Sequence, residues 1–257
     1  MTYFYEIQNP LDQFTIRDFI SLDAPILGNI HLSLTNITLY MLIAFFIILL
    51  INIMVNKYAA YVHFNWGLTQ ESIYDTIHNI VINQINKNEG QLYFPYIYAL
   101  FMFILINNLI GMIPYSFSTT SHFILTFALS FTIVIATTLL GLKKHNLKFF
   151  SLFVPAGSPL GLVPLLVLIE FISYLTRSIS LGLRLAANML SGHMLLHILS
   201  GFTYKMMTAS LLYLIIAILP LIFIIAFSSL ELGIAFIQAQ VFVVLTSSYI
   251  KDALELH

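Results

Sequence analysis

With 257 residues, 60% of them apolar, 8% charged and a net charge of −1, the chain has too little polar surface to cover a water-soluble globule, which leaves an integral membrane protein. It contains no cysteine, so disulfides, thiolate metal sites and cysteine nucleophiles are excluded. The few basic residues form no stripe of the kind that attracts nucleic acid.

Residues 1–34 are acidic (Glu6, Asp12, Asp18, Asp23) and broken by Pro10 and Pro25, a pattern that does not read as a secretory signal. Residues 35–56 (TNITLYMLIAFFIILLINIMVN) are apolar throughout. At about 1.5 Å per residue they match a hydrocarbon core of about 30 Å and predict an upright transmembrane helix. Residues 69–87 instead carry Ile73, Ile77, Ile80, Val81 and Ile85 at helical spacing opposite Glu71, Asp75, Asn79 and Asn83, with Thr69 placed to cap the first turn. That pattern predicts an amphipathic helix on the membrane surface or against a partner subunit. Residues 93–113 and 121–142 predict two further spans, divided by the Pro114 turn and followed by Lys143, Lys144 and Lys148.

The last two apolar stretches, 160–201 and 206–253, are too long for upright spans, because about 40 helical residues measure about 60 Å. Two readings stand. Each stretch breaks into two upright spans, which Pro220, Gly182, Gly192 and Gly201 allow, or each is one steeply tilted helix, which the lack of an internal polar turn favours. Five crossings with the N-terminus outside put Lys57, Lys87, Lys143, Lys144, Lys148 and Lys251 inside and only Arg17 and Lys205 outside, in keeping with the positive-inside rule.

Within the two long stretches lie Glu170, Arg177, Arg184, His193, His197 and Glu231. A charge at mid-bilayer costs at least about 2.5–3.5 kcal/mol on insertion scales, so each is a functional candidate. Glu170 and Arg177 stand about 10.5 Å apart along a helix and could simply neutralise each other. At about 100° per residue, Glu170, Arg177, Arg184 and Asn188 form one polar stripe, flanked by a small-residue strip of Ser173, Ser180, Ala187 and Ser191 that a partner helix could approach closely. His193 and His197 lie about 140–180° round from Glu170. Glu231, Gln238 and Tyr249 fall on a second polar line, able to meet the histidines.

This chemistry points to proton handling. Imidazole titrates near pH 6.5, and a histidine beside a carboxylate can pass a proton at working pH. Arginine keeps its proton throughout, so Arg184 cannot relay; it can repel a passing cation or attract a carboxylate. The chain carries no G-x-S-x-G, H-E-x-x-H or G-x-x-x-x-G-K-[ST] motif and no inverted repeat, so neither a hydrolase nor a self-contained transporter is indicated. No catalytic residue, metal site or cofactor is expected in the chain by itself.

The stretches SLGLRLAANMLSGH, LELGIAFIQAQVFVVLTSSYIKDA, FFSLFVPAGSPLGLVPLLVLIE and NNLIGMIPYSF together resemble the subunit a family (also called subunit 6) of F-type ATP synthases in its fungal mitochondrial form. The resemblance runs from about Pro10 to the C-terminus; the arginine block departs from it in reading R-L-A-A-N, with alanine where many relatives carry glycine. It implies an all-α integral membrane protein with upright helices, one interfacial helix and a C-terminal hairpin of two long tilted helices curving round a ring of c subunits. The resemblance further implies that Arg184 is the essential charge at the ring interface. His193, Glu231, Asn188 and Gln238 would belong to the proton inlet half-channel and Glu170 to the outlet, with Arg177, Tyr249, Asp252, His197 and Asn108 in support. The implied partners are the c-ring, the peripheral stalk, other membrane-sector subunits, the bilayer and protons as the transported ion. The implied location is the mitochondrial inner membrane, with the N-terminus towards the intermembrane space and the C-terminus towards the matrix. Rotation would drive ATP synthesis in a catalytic head that this chain does not contain.

Overall fold

The computed structural model describes residues 11–24, 30–58, 65–85, 87–114, 116–154, 160–209 and 211–255. Seven helices are described: α1 (Asn36–Tyr58), α2 (Asn65–Ile85), α3 (Lys87–Gly111), α4 (Phe123–His145), α5 (Val163–Ala209), α6 (Leu211–Ile216) and α7 (Ile218–Leu254). Five segments, Asn36–Val55, Glu89–Gly111, Phe123–Phe153, Val163–Ala209 and Tyr213–Leu254, are long and apolar enough to cross a membrane. The chain is an all-α integral membrane protein with one small addition. Strands β1 (Asp18–Ala24) and β2 (Ile30–Thr35) pair antiparallel, with Leu22 opposite Leu32 and an irregularity between Asp18 and Ile20.

Helix α3 is the hub, because its apolar residues are spread all round rather than on one stripe. Ile97, Phe101 and Ile104 are buried against Ile77, Val81 and Ile85 of α2, Leu181 and Leu185 of α5, and Ala239, Phe242 and Val243 of α7. Glu71, Asp75, Asn79 and Asn83 of α2 face away from this core. On α1 only the small Ala44 is fully buried, against Ile106 and Ile110. Most of its large residues, Phe46, Leu50 and Ile53 among them, point outward as lipid-facing side chains do.

Two ends of the bundle follow from the contacts. At the hairpin end lie Asn36, the finish of α3 at Gly111, the polar segment 116–122 and the start of α4. At the other end, Lys144 pairs with Glu89 at 2.6 Å and the His145 ring contacts the Leu254 carbonyl oxygen at 3.0 Å. Gly182 lets α5 lie directly on α4: a Cβ there would meet Ser130 Oγ at 2.8 Å and the Thr126 carbonyl at 3.1 Å.

The structure decides between the two readings of the long stretches. Helix α5 is unbroken for 47 residues, about 70 Å, so it cannot stand upright in about 30 Å of hydrocarbon. It passes the expected stop at residue 201 and continues to Ala209, because Gly201 costs a helix only about 1 kcal/mol and no stronger breaker follows. The second stretch, expected as one helix over 206–253, is divided at Ala217 into α6 and α7. Pro220 explains this: it has no N–H for the carbonyl four residues back, and its ring crowds that carbonyl. Helix α3 begins at Lys87 rather than 93, carrying Pro95 inside it, and α4 runs on to His145 before a short 3-10 segment, Asn146–Phe153, folds Phe149 over Gly141.

Candidate functional site

Helices α5 and α7 pack against each other, and the polar residues of both stretches meet along that seam. Nearest the hairpin end, His193 Nδ1 lies 3.7 Å from Glu231 Oε1, with both side chains mostly buried, 15% and 6% exposed. Gly192 makes the meeting possible, since a Cβ there would fall 2.5 Å from Glu231 Oε1 and 2.8 Å from its Cδ. One turn back along α5, Asn188 Nδ2 donates to Gln238 Oε1 at 3.1 Å. Asn108 of α3 is fully buried beside them and donates to the Ala235 carbonyl at 3.2 Å.

This region is rich in buried polar atoms without a hydrogen-bond partner among the described residues: His193 Nε2, both Glu231 oxygens, Gln238 Nε2, Asn108 Oδ1, Thr120 Oγ1 and His122 Nε2. Such groups cost about 1–3 kcal/mol each when left dry, so a cluster of them marks a place where water or a transferred proton belongs.

Nearer the other end, Arg177 lies between two carboxylates, 3.6 Å from Glu170 Oε1 and 3.6 Å from Asp252 Oδ2. Arg177 and Asp252 line an open groove of about 500 Å³ with Ser173, Ser180, Arg184 and Tyr249. Arg184 separates the two groups. It is exposed and makes no ion pair or hydrogen bond among the described residues. Ser180, Ala187 and Ser191, at helical spacing on the same face, are exposed beside it. Among the described residues, nothing covers that face.

The sequence candidates therefore divide as follows. His193 meets Glu231, Asn188 meets Gln238, and Arg177 meets Glu170 and Asp252. Tyr249 faces the Arg184 groove rather than the histidines. The ring of His197 makes no hydrogen bond or ion pair among the described residues, although its backbone carbonyl accepts from Ser200 Oγ. The sequence reading takes Gly192 only as a possible break, not as the place where Glu231 fits, and misses the buried polar segment after α3, in which Thr119 donates to Asn107 at 2.9 Å and Ser118 to Ser121 at 2.8 Å. The signal was visible as the run SFSTTSH inside an otherwise apolar chain.

Comparison with known protein families matches residues 38–251 to the family of the ATP synthase A chain. This chain belongs to that family. Among its relatives, the ATP synthase subunit a of Podospora anserina is 67% identical over 249 residues, covering 97% of this chain and 94% of its own length. That of Neurospora crassa is 66% identical over 252 residues, 98% of this chain and 96% of the relative. That of Emericella nidulans is 66% identical with both chains wholly covered. Membership makes the chain a proton-channel stator subunit of the membrane sector, a role suited to a seam lined with polar and charged side chains.

Proposed function

We propose that this chain conducts protons to and from the carboxylates of a rotating c-subunit ring through two offset half-channels, with Arg184 as the electrostatic barrier between them. The observation that carries this reading is that Arg184 is exposed on an apolar helix and has no ion pair or hydrogen bond among the described residues. It lies about 13.5 Å along α5 from His193 and about 21 Å from Glu170. A guanidinium in that setting is costly unless a carboxylate from outside the chain comes to it.

The inlet runs through His193 and Glu231, with Asn188, Gln238 and Asn108 alongside. The outlet runs through Glu170, with Arg177, Asp252 and Tyr249 beside it; His197, partly exposed one turn beyond His193, belongs to the mouth of the inlet. With the basic loops in the matrix, the hairpin end faces the intermembrane space and the C-terminus the matrix. A proton arriving past Glu231 neutralises a ring carboxylate, which can then rotate into lipid without the cost of a buried charge. After nearly a full turn the carboxylate reaches the outlet, where the fixed charge of Arg184 favours its ionised form and the proton leaves. Each charge passed down the potential delivers about 2.3 kcal/mol per 100 mV. The peripheral stalk and other membrane-sector subunits would hold the chain still against the ring.

The test is ATP-driven pumping and passive proton flux in membranes carrying Arg184→Ala, Arg184→Lys or the wild-type chain. Assembly with pumping lost and passive flux raised in the alanine variant supports the barrier. Pumping that survives at the wild-type rate in Arg184→Ala overturns it.

A further inference from the structure

The hairpin end carries a contact that the proton path does not use. From residue 11 to residue 20 every side chain is exposed except that of Phe14. Its neighbours Ile16 and Phe19 turn outward, while Phe14 turns in and sets its ring edge against His193, centroids 6.4 Å apart at 63°. The His193 imidazole is otherwise loosely held. Nδ1 stands 3.7 Å from Glu231, beyond a normal hydrogen bond, and Nε2 is buried with no hydrogen-bond partner among the described residues. On that side it abuts Gly111, with Nε2 3.7 Å from where a Cβ would sit. Packing contributes to the orientation of this ring, and Phe14 is one wall of the packing.

The segment bearing Phe14 is tied down. Asn36, at the start of α1 and only 8% exposed, donates from Nδ2 to the Thr15 carbonyl at 3.0 Å, accepts from the Arg17 N–H at 3.4 Å, and returns its own N–H to the Arg17 carbonyl at 3.1 Å. The Phe14 N–H closes a turn onto the Leu11 carbonyl, and Thr15 bonds the Asp12 carbonyl through both N–H and Oγ1. Residues 11–17 thus form a strap anchored beside α1 and laid over the outer end of the seam.

We propose that this strap is a lid on the His193–Glu231 pair and that Phe14 is a positioning residue for the His193 imidazole. The lid limits how freely water and solutes reach the pair from the hairpin end, and the ring edge holds the imidazole towards Glu231. Its effect on proton transfer rests on the proton-path reading above; its effect on access does not.

The chain has no cysteine, so an introduced one is its only thiol. Ser118 is 4% exposed and its Cβ lies 3.0 Å from the Cβ position of Gly111, beside the His193 ring. In the assembled synthase, Ser118→Cys is labelled with a small membrane-impermeant methanethiosulfonate, alone and together with Phe14→Ala, Phe14→Tyr or Asn36→Ala; Ser121→Cys serves as a second reporter. Labelling is expected to run several times faster with Phe14→Ala and Asn36→Ala and to return to the slow rate with Phe14→Tyr. ATP-driven pumping is expected to fall with Phe14→Ala and recover with Phe14→Tyr. Equal labelling in all four backgrounds, at both reporters, overturns the lid, and pumping unchanged by Phe14→Ala overturns the positioning role. Failure of the proton-path reading shows separately, as pumping that survives Arg184→Ala, and leaves the labelling result intact.

Discussion

Asn188 donates to Gln238 at 3.1 Å, and this bond joins α5 to α7 one turn beyond the unpaired Arg184. With His193–Glu231 and Arg177–Asp252, it is one of the polar contacts that resist sliding of the two long helices past each other. Sliding matters because a shift of one turn, about 5.4 Å, would carry Glu231 away from His193.

Removing either amide leaves the other, Asn188 half-buried or Gln238 buried, with less to bond, and an unmade bond of this kind costs about 1–3 kcal/mol. Asn188→Ala and Gln238→Ala are each expected to slow ATP-driven proton pumping in assembled membranes. The double variant is expected to lose no more than the worse single one, since both act through one contact. Losses that multiply would mean that the two amides work apart.

Gly192 and Gly201 make a controlled pair on the same helix. A methyl at 192 meets the Glu231 carboxyl, whereas at 201 it meets nothing within 4 Å. Gly192→Ala is therefore expected to push the carboxyl off His193 and cut pumping severalfold while the complex still assembles. Gly201→Ala, which gains helix propensity worth about 1 kcal/mol, is expected to pump normally. Pumping rates of the two variants side by side decide it; equal rates would remove Glu231's placement from the argument.

The contrast between glycine and proline also explains what could be read from the sequence. Gly182, Gly192 and Gly201 look like breaks, yet all three lie inside α5 as places of close approach or open surface; only Pro220 interrupts a helix, because it lacks a donor as well as a side chain that fits. The charges on α5 and α7 were legible because each is expensive in apolar sequence, and their helical phase was legible from spacing. Phase does not tell which residue of α7 lies beside which residue of α5, so the residues alone leave the partner of His193 open; the family resemblance puts Glu231 in the same half-channel, and the structure sets the two 3.7 Å apart. The hairpin is written in the strict alternation of Ile30–Thr35 (IHLSLT), a signal outweighed by the surrounding acids and Pro25. No local pattern announces Phe14, whose partner lies on a distant helix.

His122 gives a pH test outside the spans. Its ring stacks on Phe117 at 5.0 Å, Nε2 is buried without a hydrogen-bond partner among the described residues, and burial holds its pKa below the ordinary imidazole value. The unfolded chain therefore takes up this proton at a higher pH than the folded one. The folded state keeps its full advantage above about pH 6.5 and loses it as pH falls towards the lowered folded value. The thermal midpoint of the purified complex is expected to drop more between pH 7.5 and pH 5.5 in wild type than in His122→Gln. Equal drops would mean that this ring is not what acid attacks.

Arg177 separates charge placement from stability. Its two carboxylate contacts are both 3.6 Å, longer than a charge-assisted hydrogen bond, and all three side chains are more than a third exposed. Pairs of that kind stabilise a fold by at most about 1 kcal/mol, so Arg177→Ala is expected to assemble normally. Its removal nonetheless leaves Glu170 and Asp252 facing one groove with Arg184 as the remaining cation there, which draws Arg184 towards them and away from an incoming carboxylate. Pumping is expected to slow in Arg177→Ala and to recover in part in Arg177→Lys, which keeps the charge but not the fork that spans two carboxylates. Adding Asp252→Asn to Arg177→Ala is expected to restore some of the lost rate by removing one of the competing charges. A variant that fails to assemble, or a double variant slower than Arg177→Ala alone, would make the cluster a structural tie.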